Sequence, residues 1–381
     1  MTKLERLIKE LCPDGVEFIE LQSVITIRNG KDYKNLNSGN IPVYGSGGIM
    51  TYVDEFSYDK PSVLIPRKGS LDKLYYVDTP FWNVDTIFYT EIDTSILNVK
   101  FIYYFLQKCH LEKLNKAGGV PSLTQSVLNK ILIPVPPLPV QAEIVRILDK
   151  FTQLEAELEA ELEARRKQYE HYRDVLLSFD MNGGGTTNCE WKKIKLGDVG
   201  KISMCKRIMK SETSANGDVP FYKIGTFGGE PNAYISRATF EKYKSLYSFP
   251  KKGDILISAA GTIGRAVVYN GEPAYYQDSN IVWIDNDETM VLNRYLYYVY
   301  QLSPWQISTG GTIARLYNDN IANAKINIPP LQEQEHIVSI LDRFDALCND
   351  ITQGLPAEIE ARRKQYEYYR DKLLSFEEKR N

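Results

Sequence analysis

A long amphipathic pattern dominates the middle of the chain. Ile144, Leu148, Phe151, Leu154, Leu158, Leu162, Tyr169, Tyr172, Leu176 and Phe179 recur mostly at steps of three or four residues, the period of one helix face. Pro136-Pro137 can precede such a helix but not sit inside it, and Gly183-Gly184-Gly185 predicts its end and the opening of a flexible link. Some 40 residues at ~1.5 Å rise predict a rod of about 60 Å. No single small core can hide a rod that long, so its apolar stripe requires a partner helix. Within it runs a tandem tetrad, Leu154-Glu155-Ala156-Glu157, Leu158-Glu159-Ala160-Glu161, Leu162-Glu163-Ala164. One tetrad more or less changes the length by ~6 Å while nearly keeping the apolar face, which suits an adjustable spacer. At the start of the chain, Leu4, Leu7, Ile8 and Leu11 also fall at helical spacing. Charges interrupt them, so the segment lacks the apolar core of a signal peptide.

The remaining stretches pattern differently. Short apolar runs (Ile41 to Tyr44, Ser62 to Ile65, Ile255 to Ile257, Ala266 to Tyr269) alternate with clusters of Gly, Asn and Asp, predicting compact β-rich modules. Asn98 to Gln107 and Asn293 to Gln301 predict a tyrosine-rich helix in each module. Those tyrosines are expected in the core with partnered hydroxyls rather than as base-stacking platforms.

The chain repeats itself. PPLPVQAEIVRILDKF from Pro136 returns as PPLQEQEHIVSILDRF from Pro329, 193 residues later. EARRKQYEHYRD from Glu163 returns as EARRKQYEYYRD from Glu360, with eleven of twelve positions identical. Ile41-Pro42-Val43-Tyr44 echoes Val219-Pro220-Phe221-Tyr222, and the Gly69-Ser70 loop echoes Gly261-Thr262. A duplication explains this. The second copy holds four extra residues before Ala361, with Gly354 and Pro356, predicting a break there. The layout is α+β: two β-rich globular modules separated by two long helices that pack as an antiparallel coiled coil, with a pseudo-twofold internal repeat. The boundaries are 1–135 (first module with an N-terminal helix), 136–182 (central helix), 183–328 (second module) and 329–381 (distal helix). Helix–helix packing is expected from Leu148, Phe151, Leu154, Leu158, Leu162, Tyr169 and Leu176 in the first copy. Leu341, Phe344, Leu347, Ile351, Ile359, Tyr366 and Leu373 are expected to pack in the second.

Composition narrows the function. The formal charge of −3 does not suggest nucleic acid by itself. The acidity is uneven, however: the two helical stretches are net acidic and the second module net basic. No stretch approaches ~18 consecutive apolar residues, so no membrane partner is expected. Five scattered cysteines without a CxxC pair read as reduced thiols in a cytoplasmic protein, with no zinc site. No Asn/Asp-Pro-Pro-aromatic motif, phosphate loop or paired metal ligand is present, and the chain is read as non-catalytic.

The repeated PPL…Q…I…ILD-x-F segment leading into EARRKQYE-x-YRD-x-LL, twice, between variable modules, resembles the specificity (S) subunit of type I restriction-modification systems. Cys12-Pro13-Asp14-Gly15-Val16 also looks like that family's leading segment. The resemblance implies that each module reads half of a split double-stranded DNA target and that the helices act as a spacer. It implies docking of two modification (methyltransferase) subunits, with restriction subunits in the full complex. S-adenosylmethionine, ATP and Mg would belong to those partners and no cofactor to this chain. A structural adaptor binding protein or glycan remains the alternative reading.

Candidate DNA contacts lie in polar, Gly-flanked loops, where Arg, Lys and Asn side chains can reach phosphates or base edges. In the first module they are Lys31, Tyr33, Lys34, Arg67, Lys68, Ser70, Gly118 and Gly119. In the second they are Lys206, Arg207, Lys210, Lys223, Thr262, Arg265, Gly310, Gly311, Thr312 and Arg315. Solvated loop charge is the competing reading for each. Arg165-Arg166-Lys167 and Arg362-Arg363-Lys364 are expected to pair with helix glutamates rather than with phosphates.

Overall fold

A computed structural model describes residues 2–115, 121–178, 191–306 and 315–379. The helices are α1 (Lys3–Leu11), α2 (Val99–Lys108), α3 (Gln125–Leu128), α4 (Leu138–Leu177), α5 (Leu196–Val199), α6 (Arg237–Leu246), α7 (Asn293–Gln301), α8 (Asn318–Ala322), α9 (Leu331–Asn349) and α10 (Leu355–Leu373). No described helix is long and apolar enough to cross a membrane. The chain divides into two compact units, one of residues 1–160 with 358–381, the other of residues 161–357. Each unit therefore takes helical segments from both repeats.

In the first unit a four-stranded antiparallel sheet runs in the order Ile25–Asn29, Ile87–Ile92, Ser62–Pro66, Tyr75–Val77. The Ser62–Pro66 strand is buried at every position, which is why Val63-Leu64-Ile65-Pro66 reads as an apolar run and why the Ser62 hydroxyl bonds the Thr90 backbone. A three-stranded sheet places Ser38–Gly45 between antiparallel Gly48–Val53 and parallel Trp82–Asn83. Phe18–Glu20 pairs with Leu132–Pro134 and closes the module at its base. The second unit repeats each sheet. Its four strands are Gly200–Ser203, Ile281–Asn286, Ile255–Ser258 and Ala266–Val268, in the same order and sense. Val219–Tyr222 lies between antiparallel Tyr234–Ile235 and parallel Tyr275–Tyr276, and Lys192–Lys195 closes on Lys325–Ile328. The faint sequence echoes are thus equivalent strands. Helix α6, between the Tyr234–Ile235 and Ile255–Ser258 strands, sets the second module apart.

One buried glutamine in each unit joins module to helix. The Gln141 Oε1 accepts from the Asn98 backbone N–H at 2.7 Å, and its Nε2 donates to the carbonyls of Ile96 and Pro136. Gln334 does the same with the Leu292 N–H at 2.9 Å and the carbonyls of Met290 and Pro329. Both side chains are fully buried. A second duplicated clasp follows two turns on. In the first unit Lys100 and Tyr104 of α2 bind Asp149 at 2.8 and 2.6 Å. In the second, Arg294 binds Asp342 at 2.6 Å, and the Tyr298 hydroxyl donates to the same carboxylate. Burial and these carboxylates push both tyrosine hydroxyls up, so they stay protonated donors.

The helical seam pairs unlike repeats. In the first unit the early part of α4 lies against α10: Phe151 stacks on Tyr369 at 5.4 Å, and Arg363 bonds Glu155 at 3.0 Å. In the second, the late part of α4 lies against α9, where Tyr172 stacks on Phe344 at 5.5 Å. Contacts run in opposite chain directions, so each pairing is antiparallel. The repeated tyrosines Tyr366 and Tyr169 then reach the module helices, donating to Gln107 and Gln301 respectively, each at 2.8 Å.

Leu148, Tyr169, Leu341, Ile359 and Tyr366 are buried as the periodicity predicts, while Phe151, Leu158, Leu162, Leu176, Phe344 and Leu373 are half-buried. Three expected packing positions are corrected. Ile351 is 81% exposed because α9 stops at Asn349 and the Asp350 carboxylate folds the next residues into a turn by accepting from Thr352 and Gln353. The turn around Gly354 is the predicted break. Leu154 is exposed because a four-residue period advances about 40° past one full turn. Leu347 is exposed because its three-residue step from Phe344 falls about 60° short of a full turn, and its neighbour Cys348, at the four-residue step, is buried in its place. The basic triplets pair with glutamates, as in Arg165 with Glu161, Lys167 with Glu163 and Lys364 with Glu360.

The chain ends tie back to the leading segment. The Val16 N–H donates to the Glu377 carbonyl at 2.8 Å and the Lys379 N–H to the Val16 carbonyl at 3.0 Å. Gly15 at φ +95° allows this approach, since a Cβ there would meet the Glu377 oxygen at 2.8 Å. Helix α1 opens with a capping box between Thr2 and Glu5. Lys3 and Arg146 both bind the buried Glu143, and their hydrogen bonds hold its carboxyl at about 2.

Gln141→Leu and Gln334→Leu each leave one buried carbonyl and two part-buried backbone groups without their amide partner, and should each destabilise the full chain by roughly 3 kcal/mol in denaturant unfolding, with fold retained. Glu143 has a depressed folded pKa, so its stabilisation is fully present above ~4.5 and fades as pH falls toward about 2. The gap in melting temperature between the native chain and Glu143→Gln should therefore be constant at neutral pH and shrink progressively below pH ~4.5.

Candidate nucleic-acid interface

Four of the second-module candidates converge. Arg207, Lys210, Lys223 and Arg315 line one cleft of about 440 Å³ together with Thr213, Phe221 and the turn Gln277–Asn280. Arg207 follows the Gly200–Ser203 strand, and Lys210 begins a short 3₁₀ turn. Lys223 follows the central Val219–Tyr222 strand, and its N–H and carbonyl are both fixed by the Thr226 hydroxyl. Arg315 donates to the Ser279 carbonyl. Neither Lys210 nor Lys223 has an ion-pair partner among the described residues, so both charges are available to a ligand. Lys206 points elsewhere: its ammonium sits 5.1 Å from the Tyr247 ring, in a neighbouring hollow of about 350 Å³ that also touches Arg207.

Thr262 and Arg265 stand outside the cleft, on the Gly-rich loop between the Ile255–Ser258 and Ala266–Val268 strands. The buried Ser258 hydroxyl holds this loop, donating to the Thr262 carbonyl and accepting from the Arg265 N–H at 2.9 Å. The Arg265 guanidinium bonds the Phe227 carbonyl at 2.7 Å. Gly264, at φ +82°, passes over Trp305, where a Cβ would come within 2.9 Å of the indole.

In the first module the equivalent loop carries Arg67, Lys68 and Ser70. The Arg67 N–H donates to the Thr86 carbonyl at 2.8 Å, and its half-buried guanidinium lies 5.8 Å from the Phe88 ring. The Lys68 ammonium is 3.9 Å from Asp85, both exposed. Gly69 at φ +85° brings the loop against the hairpin tip at Ser46. Ser70 is half-buried, its carbonyl receiving the Lys73 N–H. Lys31 and Lys34 are exposed on a separate loop, where Lys34 lies 3.9 Å from Asp32. Tyr33 is half-buried against Val43, Val53 and Val84, a packing role rather than an exposed platform. Gly118, Gly119, Gly310, Gly311 and Thr312 lie outside the described residues. A hollow of about 620 Å³ lined by Tyr76, Tyr103, Lys100 and Asp149 contains none of the candidates. The module tyrosines Tyr104, Tyr295, Tyr298 and Tyr300 are buried, as expected of core residues.

The turn that organises the second cleft is not evident from residue type alone. Asp278 accepts from the Arg207 Nε at 2.8 Å, and the Gln277 side chain accepts from the Ile224 N–H at 2.9 Å. A signal was present: Val84-Asp85-Thr86 and Gln277-Asp278-Ser279 lie 193 residues apart, the same offset as the repeated Pro-Pro-Leu. Cys205, beneath this turn, is buried, which pushes its thiol up to about 12 and leaves it unreactive. Among the described residues no group of three or more His, Cys, Asp or Glu is placed to hold a metal ion. The site offers cation, amide and hydroxyl donors around an open concavity, which is equipment for binding rather than for bond-breaking.

A family profile described as "Type I restriction modification DNA specificity domain" matches residues 13–164 and 188–361. A Haemophilus influenzae protein named as a type I restriction enzyme specificity subunit is 50% identical over 392 residues, covering 98% of both chains. The EcoR124I/EcoR124II specificity subunit of Escherichia coli is 34% identical over 306 residues, covering 75% of this chain and 73% of that one. Among solved structures, a type I restriction-modification S subunit from M. genitalium superposes with a TM-score of 0.58 at 16% identity, over 94% of this chain and 96% of that one, a likeness of fold. With both modules matched and a relative half identical from end to end, this chain belongs to the type I restriction-modification DNA specificity family.

Proposed function

We propose that this chain is the sequence-reading subunit of a type I restriction-modification complex, working in the cytoplasm on double-stranded DNA. Each module contacts one half of a split target, and the chain docks two modification subunits, with restriction subunits joining in the full assembly. A solved chain of a type I R-M system that matches this fold was studied for complex assembly and conformational transition. Adenine methylation with S-adenosylmethionine, and ATP- and Mg-dependent cleavage, would be the work of those partners.

The observation that carries this reading is the pairing of one frame with two different charged surfaces. The sheets, the glutamine clasps and the tyrosine contacts match between units. The loops do not: the Gly-rich loop carries Arg67, Lys68 and Ser70 in one unit and Thr262 and Arg265 in the other, and the loop after the first sheet strand carries Lys31 and Lys34 in one and Arg207 and Lys210 in the other. A common frame with unlike loops suits two unlike half-sites. Phosphate contacts require local cations, and base edges require donors and acceptors held in place.

Co-producing the chain with its modification subunit and mapping methylated adenines should give two short half-sites around a fixed gap. Exchanging residues 16–135 for another module should change one half alone, and a folded complex that leaves no new methylation would refute the reading. The double variant Lys210→Gln with Lys223→Gln should weaken DNA association by the complex at all sequences alike. It should also reduce the slope of log affinity against log salt by about 1 per lysine.

A further inference from the structure

The turn Gln277–Asn280 is more constrained than a connecting turn needs to be. Ser279 sits at φ +60°, in the left-handed region that non-glycine residues seldom adopt. The surroundings impose this conformation: the Gln277 N–H donates to the Tyr222 carbonyl at 2.9 Å and the Ala259 N–H to the Asn280 carbonyl at 2.7 Å. What the turn holds in return is two arginines. Its Asp278 carboxylate grips the Nε of Arg207 at 2.8 Å, and its Ser279 carbonyl receives Arg315. Backbone strain kept at a surface cleft points to a positioning task.

The pair is lopsided. The Asp278 side chain is 15% exposed and that of Arg207 67% exposed, so the carboxylate is sunk and the guanidinium projects. A carboxylate inside a phosphate-facing cleft opposes DNA affinity, so it needs another reason to be there. With Nε engaged by Asp278, the two Nη nitrogens keep their donors in one fixed plane. That fork matches O6 and N7 of guanine in the major groove, the commonest specific arginine contact. The first module has no such device at the equivalent place: Asp85 faces Lys68 at 3.9 Å, with both side chains largely exposed. A lysine is a rotating point charge and cannot form the planar fork.

We propose that Arg207 reads a guanine in the half-site of the second module and that Asp278 is its positioning residue. The inference rests on the DNA-reading role proposed above and assigns it a base. The guanine preference belongs to the second half-site; Lys68 and Asp85 in the first module supply no counterpart.

The test uses the full chain co-produced with its modification subunit, with methylated adenines mapped for the native chain, Arg207→Lys and Asp278→Asn. In the native complex one position of the second half-site should be guanine. Arg207→Lys should relax that preference by about 5- to 150-fold while the other positions and the other half-site keep theirs. Asp278→Asn should relax the same position less, because its amide oxygen still accepts from Nε without the charge. In binding assays, replacing that guanine by 7-deazaguanine, which lacks the N7 acceptor, should weaken the native complex more than Arg207→Lys, whose ammonium can reach N7 but cannot hold the two-point fork. Unaltered motifs in both variants, or a uniform loss across all positions such as a phosphate contact gives, would overturn the assignment of Arg207. A native complex that produces no split motif would instead remove the DNA-reading role on which the assignment rests. Arg207 lies largely in solvent, and matched melting temperatures would confirm that the variants are folded.

Discussion

The architecture depends on satisfying backbone polar groups where each module runs into its helix. Pro136-Pro137 and Pro329-Pro330 supply no N–H donors, and the carbonyls beside them are buried among apolar side chains. One glutamine amide resolves this in each unit, since it offers an acceptor and two donors from a single side chain. The same amide fastens the loop before α2 or α7, so the module helix starts at a fixed place on the long helix. Asp149 and Asp342 then fix the rotation of those helices about their axes. Because the glutamines bind backbone rather than side chains, module sequences can diverge without loosening the joint.

The seam adds a second constraint. Each unit combines the Pro-Pro-Leu helix of one repeat with the QYE segment of the other, through Phe151 with Tyr369 and Tyr172 with Phe344. Aromatic stacks and tyrosine hydroxyls carry this pairing in place of a continuous leucine stripe. A hydroxyl that must reach Gln107 or Gln301 selects one register, whereas a leucine seam tolerates slippage by a turn. Tyr366 and Tyr169, at matching places in the repeat, each reach one module helix. Keeping the QYE motif intact in both copies follows from that geometry.

Much of this was legible in the sequence. The duplicated helices, the break at Gly354 and the equivalence of Ile41 to Tyr44 with Val219 to Tyr222 follow from repeats and periodicity. Helical period alone could not show that Leu154, Leu347 and Ile351 face solvent. A tetrad repeat drifts around the axis, and the stop after Asn349 depends on how Asp350 caps the turn. The crossed pairing of repeats follows from the antiparallel packing expected of two like helices, since the Pro-Pro-Leu end of one copy then meets the QYE end of the other. At the candidate interface, basic residues were found by type. The turn that arranges them was missed, since the role of Asp278 and the left-handed Ser279 arise from tertiary contacts of Tyr222 and Ala259.

Charge placement explains how a net acidic chain can carry DNA-facing surfaces. The arginines and lysines of the helices are largely consumed nearby, Arg165 by Glu161, Lys167 by Glu163, Arg362 by Glu358 and Lys364 by Glu360. Such exposed pairs add little stability but cancel each other's fields. On the module loops the balance differs: Lys31, Arg67, Lys210 and Lys223 carry no ion-pair partner among the described residues. At physiological salt a charge acts fully only within about 8 Å, so a phosphate meets the local loop and not the sum over the chain. The quantity that decides DNA contact is therefore the unpaired charge per loop, which the acidic helices leave unaltered because their glutamates pair with cations of the helices themselves.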